Sequence, residues 1–446
     1  MNIFMIAYYF PPDSSSGSFR PLFFANHLAN SGSTVHVFTA KTEDYLIDQP
    51  MDDDLVAQIH PNVKITRCSV LRPREALLKF RAWFSLKSQA ASENKKLATP
   101  FTPVLKRKTI YQRLKDIFTD IITTPDIHAG WIFDCIWQGR KAIAHKRPDV
   151  IYATGGPWSS LIAGALLKFN SGVPLVLDFR DPWTSNSSEK RRCFITRWIN
   201  RRLESIVIKY ADGIIANTVN LQKDFLVRYE KLNPRRITTI TNGFEEYLPP
   251  SDIAEKHPLT IAHVGSLYSS RNPLPLIKAI MALIDDKTIH HSDLKIILVG
   301  EIETAGNEIA KLLSSGTLEN VVEIIPRVPY KEATEFIRNS DVLLLIQPDF
   351  PLQIPRKLYD YMSARKLLLC IAERESSTGV LVRDYNLGVV CENNYIEIEQ
   401  ALKKLILLWK NGELSSYKND HLNKFKNSEL TVSLRTFINE IITKQI

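Results

Sequence analysis

Nowhere in this chain of 446 residues do 18 apolar side chains run together, so no segment has the length that a membrane-spanning helix needs. Cysteine chemistry is equally thin. The five cysteines (68, 135, 193, 370 and 391) are odd in number and form no CxxC pair, which argues against a disulfide framework and structural zinc and suits a reducing cytosol. His27, His36, His60 and His128 show no ligand spacing, and the acidic run "MDDD" (Met51 to Asp54) precedes a helix in a polar loop, where capping explains it without a metal. GxGxxG is missing, so a dinucleotide-binding fold is not supported. Short-period repeats and low-complexity tracts are missing too. The opening "NIFMIAYYF" is a strand pattern, too short for a signal peptide and without a cleavage site.

What is present is a soluble, globular composition, 44% apolar and 24% charged, in a chain long enough for two or three domains. The net charge of +9 is concentrated. Residues 72–115 carry 12 Lys/Arg against Glu75 and Glu93, a net +10, which leaves the remainder near −1. Within that segment "LLKFRAWFSLK" (Leu77 to Lys87) mixes large apolar and basic residues, and "EKRRCFITRWINRR" (Glu189 to Arg202) repeats the mixture. Two such stretches predict docking to an anionic membrane surface. No nucleic-acid motif accompanies the charge, and nucleic acid is not expected as a partner.

Apolar strand-like runs alternate with helical patterns along most of the chain. The first half offers "NIFMIAYY", "TVHVFTA", "VKITRCS", "DVIYATG", "PLVLDF", "DGIIAN" and "ITTITN", with helices such as Ser18 to Asn30 between them. The second offers "LTIAHVG", "LKIILVG", "VVEIIP", "DVLLLI", "KLLLCIA" and "LGVVCE". Near-continuous apolar strands joined by helices imply parallel sheets covered on both faces, hence an α/β protein of two doubly wound, Rossmann-like domains. An acidic, proline-rich stretch, Phe244 to Pro258, separates them. The expected division is residues 1–250, with a helical basic insertion at about 72–137, then 259–425, then a C-terminal helix (426–446) that packs back on the first domain.

In open parallel sheets ligands bind beyond the carboxyl ends of the strands, so the residues there are the candidates. After the first strand come Gly17, Ser18 as a helix cap and Arg20 in the first turn, a turn suited to an anion. Asp178, Arg180, Asp181 and Trp183 gather at the end of "PLVLDF", as an internal salt bridge or as part of a site. In the second half Gly265 and Ser266 turn the chain, Arg271 lies within reach of a phosphate, Glu301 ends the next strand, and Arg327 and Val328 follow another. Lys357 and Asp360 fall one helical turn apart on one face of "IPRKLYDYMSARK". Cations for a diphosphate and a carboxylate for a ribose diol are the complement of a sugar nucleotide.

With these motifs in hand, the sequence resembles the family 4 glycosyltransferases, retaining enzymes of the GT-B fold, and most resembles the branch that builds bacterial surface polysaccharides. The carriers include "YYFPPDSSSGSFRP", "FRDPW", "ITNGF", "HVGSLYSSRNP", "VPYKEATEFIRNSDVLLLI" and "IPRKLYDYMSARK". "PRKLYDY" matches a "PxKxxEY"-like form of that branch with Asp for Glu. The first carboxylate of the family's ExxxxxxxE pair is Leu352 here, and Ser266 stands where an arginine often follows the glycine.

The resemblance implies retaining, metal-independent and cofactor-free transfer from a nucleotide diphosphate sugar, expected to be a UDP-sugar, to a lipid-linked or polysaccharide acceptor. The enzyme would work in the cytoplasm, peripheral on the inner face of the plasma membrane. The second domain would hold the donor through Gly265, Ser266, Arg271, Glu301, Arg327, Val328, Lys357 and Asp360, with the Gly17–Ser18 loop approaching it. Arg271, Lys357 and Asp181 are the expected catalytic residues, and Arg20, His128 and Arg180 the acceptor-side ones. A nucleotide-sugar epimerase of the same fold and a non-catalytic sugar-nucleotide binder are the alternatives.

Overall fold

The computed structural model describes residues 1–46, 48–71, 117–187, 189–250, 258–268, 270–302, 307–313, 316, 318–414 and 420–443. Most of the basic insertion, including "LLKFRAWFSLK", and residues 251–257 of the expected linker lie outside the described residues. The chain forms two compact units, 1–214 and 215–446.

Every apolar run named above forms a strand. In the first sheet these are β1 (Asn2–Ile6), β2 (Thr34–Ala40), β3 (Val63–Cys68), β4 (Val150–Gly155), β5 (Leu175–Phe179), β6 (Gly213–Ala216) and β7 (Ile237–Thr239), in the order β3-β2-β1-β4-β5-β6-β7. The second holds β8 (Leu259–Val264), β9 (Leu294–Val299), β10 (Val322–Ile325), β11 (Val342–Ile346), β12 (Leu367–Ile371) and β13 (Gly388–Cys391), in the order β10-β9-β8-β11-β12-β13 and parallel throughout. The connecting helices are α1 (Ser16–Asn30), α2 (Asp54–Ala57), α3 (Trp131–His145), α4 (Trp158–Ser171), α5 (Phe194–Tyr210) and α6 (Val219–Arg228). They continue as α7 (Leu274–Asp285), α8 (Asn307–Leu313), α9 (Tyr330–Asn339), α10 (Lys357–Ser363), α11 (Ser377–Asp384), α12 (Tyr395–Lys410) and α13 (Asn427–Ile442).

Strand β11 shows why these runs are apolar without alternation. Val342, Leu344 and Ile346 point into a core shared with Leu276 and Ile280 of α7 and with Leu402 and Leu405 of α12. Leu343 and Leu345 point to the other face, against Leu358, Tyr361 and Met362 of α10. Successive side chains of a strand face opposite ways, so a strand covered on both faces needs an apolar residue at every position. Each such leucine contributes about 1.5–3 kcal/mol by leaving water.

Two local expectations are corrected. Helix α1 begins at Ser16, and Ser18 does not cap it: its buried Oγ donates instead to Oδ2 of Asp13 at 2.7 Å. The same carboxylate accepts from the N–H of Ser15, its Oγ and Nε2 of Gln49, and a carboxylate just ahead of a helix suits the positive end of its dipole. The start of the expected linker is also no free tether. Phe244 is buried, its N–H donates to the carbonyl of Phe425 at 3.0 Å, and its carbonyl accepts from Asn427 at the head of α13 at 2.8 Å.

Candidate functional site

In the second unit the site grows from a gap between two strands. β8 and β11 are neighbours, yet they register only at Val342↔Ile261 and Leu343↔Ala262, while β8 stays paired with β9 as far as Val264↔Val299. Strand order reverses at this place, which is the switch point where open α/β sheets bind ligands. His263, fully buried, bridges the parting strands: its Nδ1 lies 2.9 Å from the carbonyl oxygen of Leu344. A carbonyl can only accept, so Nδ1 carries the proton and Nε2 is bare. Burial, with Lys357 and Arg271 nearby, holds the imidazole well below its ordinary pKa and keeps it neutral.

Lys357 Nζ lies 3.1 Å from that bare Nε2 and donates to it. A second stitch runs beside it, from the N–H of Val264 to Oη of Tyr361 at 2.9 Å. Gly265 caps the arrangement with φ +118°, and a Cβ there would stand 2.7 Å from Lys357 Nζ. Gly300 has φ +130°, and its Cβ would meet the carbonyl carbon of Gly265 at 2.7 Å. Both positions need glycine, for backbone shape and for space.

Burial, and then Arg271, lower the Lys357 pKa to about 7, with Asp360 opposing them. The Arg271 guanidinium is 5.1 Å from the ring centres of both Tyr268 and Phe350, and its Nη1 donates to Tyr268 Oη at 3.1 Å. Cations so placed gain from the ring quadrupoles. Asp360 is not the partner of Lys357, as a shared helix face suggested. It accepts from Arg356 at 3.2 Å, one turn earlier. Burial raises the Asp360 pKa, against the pull of Arg356 and Lys357.

The structure thus draws together Gly265, Arg271, Lys357 and Asp360, with Ser266 half-buried in the same turn. Glu301 and Arg327 stand exposed, and Val328 half-buried, just past β9 and β10, outside this hydrogen-bonded group. Sequence reasoning missed His263 and Gln347. Gln347, one residue past β11 and 1% exposed, has neither amide atom hydrogen-bonded. Their signal was a polar residue at the carboxyl end of an otherwise apolar strand.

In the first unit the expected acceptor-side cations are committed to structure. Arg20 is buried and donates through Nε and Nη2 to Asp178 at 2.9 Å each. Asp178 also accepts from Tyr152 Oη and Thr154 Oγ1. Burial alone would raise its pKa, but Arg20 and these hydroxyls bring it below the usual carboxylate value. Arg180 donates to the carbonyls of Gly17, Gly155 and Gly156, tying the first turn of α1 and the end of β4 to the end of β5. Asp181 is half-buried beside it. Neither arginine has its guanidinium free for an acceptor.

His128 does face a cavity, of about 440 Å³, lined among others by Tyr9, Ile127, Pro157, Trp158 and Arg192. Its Nε2 is 3.1 Å from Tyr9 Oη. Burial, then Asp13, push the Tyr9 pKa up to about 12, so the phenol keeps its proton. Trp158 lies flat on the buried Trp183, at 5.2 Å and 4°. Arg192 donates to the Asp120 carboxylate and to the carbonyls of Asp120 and Pro125. The wall thus combines the rings of Tyr9, His128 and Trp158 with the charged groups of Asp126 and Arg192.

Two family models match in sequence, Glycosyltransferase Family 4 over residues 97–246 and Glycosyl transferases group 1 over residues 245–423. A search of curated proteins finds no match. Among solved structures the chain is similar to sucrose-phosphate synthase from Thermosynechococcus elongatus (13% identity, TM-score 0.65, 100% of each chain covered). It is also similar to WaaG, a glycosyltransferase involved in lipopolysaccharide biosynthesis (14%, 0.55, covering 97% of this chain and 99% of that one). A third relative is a putative UDP-N-acetylglucosamine 2-epimerase from Listeria monocytogenes (11%, 0.55, 99% and 97%). At such identities structural likeness shows the fold alone. With the two family models spanning residues 97–423 between them and two parallel sheets of seven and six strands, the chain belongs to the glycosyltransferases of the GT-B fold.

Proposed function

We propose that this protein transfers a sugar, with retention of configuration, from a nucleoside diphosphate sugar, a UDP-sugar, to a lipid-linked or polysaccharide acceptor in cell-surface polysaccharide synthesis. The observation that carries the donor half is the Lys357 amine, held at the switch point of the second sheet with Arg271 close enough to depress its pKa. Two cations side by side repel unless an anion joins them. The diphosphate is that anion, and its charge grows as the glycosidic bond breaks. Fixed cations at that point stabilise the transition state more than the ground state. They supply what a metal ion would otherwise supply, so the transfer is proposed to need none. Asp360 accepts from the ribose hydroxyls.

The acceptor half is assigned to the cavity of the first unit. Trp158 offers a flat apolar face to the C–H side of a sugar ring, and Tyr9 with His128 offers hydrogen-bonding groups for its hydroxyls.

Membrane docking fits helix α5. It buries Thr196, Asn200 and Glu204 with Val207 and Ile208, and exposes Phe194, Ile195, Trp198 and Ile206 beside Arg201, Arg202 and Lys209. Apolar rings and basic groups on one outward face suit an anionic bilayer surface.

A panel of nucleotide sugars in a thermal-shift assay tests the donor reading, since a ligand at 100 times its Kd stabilises by roughly 2.7 kcal/mol. The true donor should raise Tm in the wild type and not in Lys357→Ala. That variant should also lose about 2–4 kcal/mol of transition-state stabilisation. Transfer at the wild-type rate would refute the assignment. Product analysis without acceptor separates transfer from epimerisation.

A further inference from the structure

We propose that His263 is a positioning residue for the reaction: its bare Nε2 fixes the Lys357 ammonium in the parted switch point, aimed at the donor's diphosphate. The inference rests on the reading of Lys357 as a diphosphate ligand and deepens it.

The tautomer settles the direction of the bond. With Nδ1–H committed to Leu344 at 2.9 Å, Nε2 has a lone pair and no proton, and Lys357 Nζ at 3.1 Å is its donor. A lysine amine has three protons and a long, flexible stem, and it pays rotamer entropy to hold one place. Here one proton is spent on the ring, and Gly265 leaves no room for a Cβ between the amine and the turn. The remaining protons point away from the ring. The ring is itself immobile, because it is fully buried and plugs the place where β8 and β11 cease to register.

Among the described residues, the charged and titratable groups facing Lys357 are few. They are His263 from β8, Arg271 from the loop after β8, and Asp360, with its partner Arg356, from α10. Of these only His263 has a described hydrogen bond to the amine. A neutral acceptor does for Lys357 what a carboxylate could not. It orients the ammonium without pairing it with a negative charge, so the charge on the ammonium is left for the ligand.

The test uses the full-length protein with His263→Phe, His263→Gln and Lys357→Ala, and two readouts. One is the titration of Lys357 by NMR of ε-13C-labelled lysine, with its signal assigned by its absence from Lys357→Ala. The other is UDP affinity by calorimetry at pH 7, with GDP in parallel. Loss of the acceptor disfavours the protonated amine, so His263→Phe should lower the Lys357 midpoint by at least about half a pH unit. It should also weaken UDP roughly tenfold, the size of one charge-assisted hydrogen bond. His263→Gln, whose Oε1 can accept, should recover most of both. A merely packing role would move neither the midpoint nor its rescue by Gln.

If Lys357→Ala loses UDP while His263→Phe, still folded, keeps both midpoint and affinity, the inference falls and the donor reading stands. If Lys357→Ala binds UDP and GDP as the wild type does, the donor reading falls and the inference, which rests on it, falls with it. Should His263→Phe not fold, His263→Gln against Lys357→Ala decides: a Gln variant that loses both readouts with its fold intact also overturns the proposal.

Discussion

Arg356 Nη2 lies 3.2 Å from Oδ1 of Asp360, so the carboxylate of this helix is tied to the arginine before Lys357 and not to Lys357 itself. The pair has a task beyond a surface i,i+4 contact worth a few tenths of a kcal/mol. Arg356 pulls the Asp360 pKa down, against a burial that raises it. Asp360→Asn should therefore weaken UDP by about ten- to a hundredfold while leaving inorganic pyrophosphate unaffected, because the loss falls on the ribose. Calorimetry with the two ligands separates the outcomes.

Lys357 should be costly to the free enzyme. An unfolded lysine keeps its proton to about 10.5, and the folded one releases it near 7. Between these values the unfolded chain binds more protons, so this residue makes stability rise with pH across that window and penalises the fold most below pH 7. Lys357→Met, which keeps the volume, should raise Tm at pH 6, with the advantage shrinking by pH 9, and should abolish transfer. Calorimetric melting at the two pH values checks the sign.

The same low pKa predicts proton uptake. A diphosphate favours the ammonium, so binding at pH 8 should draw up to about one proton from solvent, and at pH 6 almost none through this group. Isothermal titration in buffers of different ionisation enthalpy measures the number directly.

Arg20 and Asp178 should matter to folding. Breaking a buried pair by removing one partner costs about 3–5 kcal/mol, and Asp178 would leave Tyr152 and Thr154 unsatisfied as well. Arg20→Met should lower the unfolding free energy, read from urea titration, by that amount. The fraction that remains folded should keep its Michaelis constant for the acceptor.

Replacing Phe194 and Trp198 of α5 by Glu should abolish sedimentation with phosphatidylglycerol vesicles and leave Tm within a few degrees. Both side chains are more than half exposed, and neither supports the core. Vesicle binding equal to that of the wild type would remove α5 from the docking surface.

The fold was legible because strands such as β11 and β12 are apolar at every position, a pattern that little besides a doubly covered parallel strand produces. The site was legible in part. Lys357, Arg271 and Gly265 announce themselves by residue type at a strand end. The role of Arg20 and Arg180 was not legible, because nothing in their local sequence shows that the loop after one strand is a hydrogen-bond partner of the end of another. His263 hid for the opposite reason. It sits inside an apolar run, where a histidine looks like core filling, and its function depends on the gap between β8 and β11, a property of pairing and not of composition. Asp360 went to Arg356 through a choice of side-chain rotamer that spacing alone leaves open.

Arg180 donates to the carbonyls of Gly155 and Gly156, the two residues just ahead of Pro157 and Trp158, and to that of Gly17 in the first turn of α1. The cavity proposed for the acceptor takes part of its wall from Gly156, Pro157 and Trp158. Part of that wall is thus anchored by a side chain that does not line it. Selectivity among acceptors can then drift through a residue that no inventory of cavity contacts would contain, much as the tension of a drumhead is set at its rim.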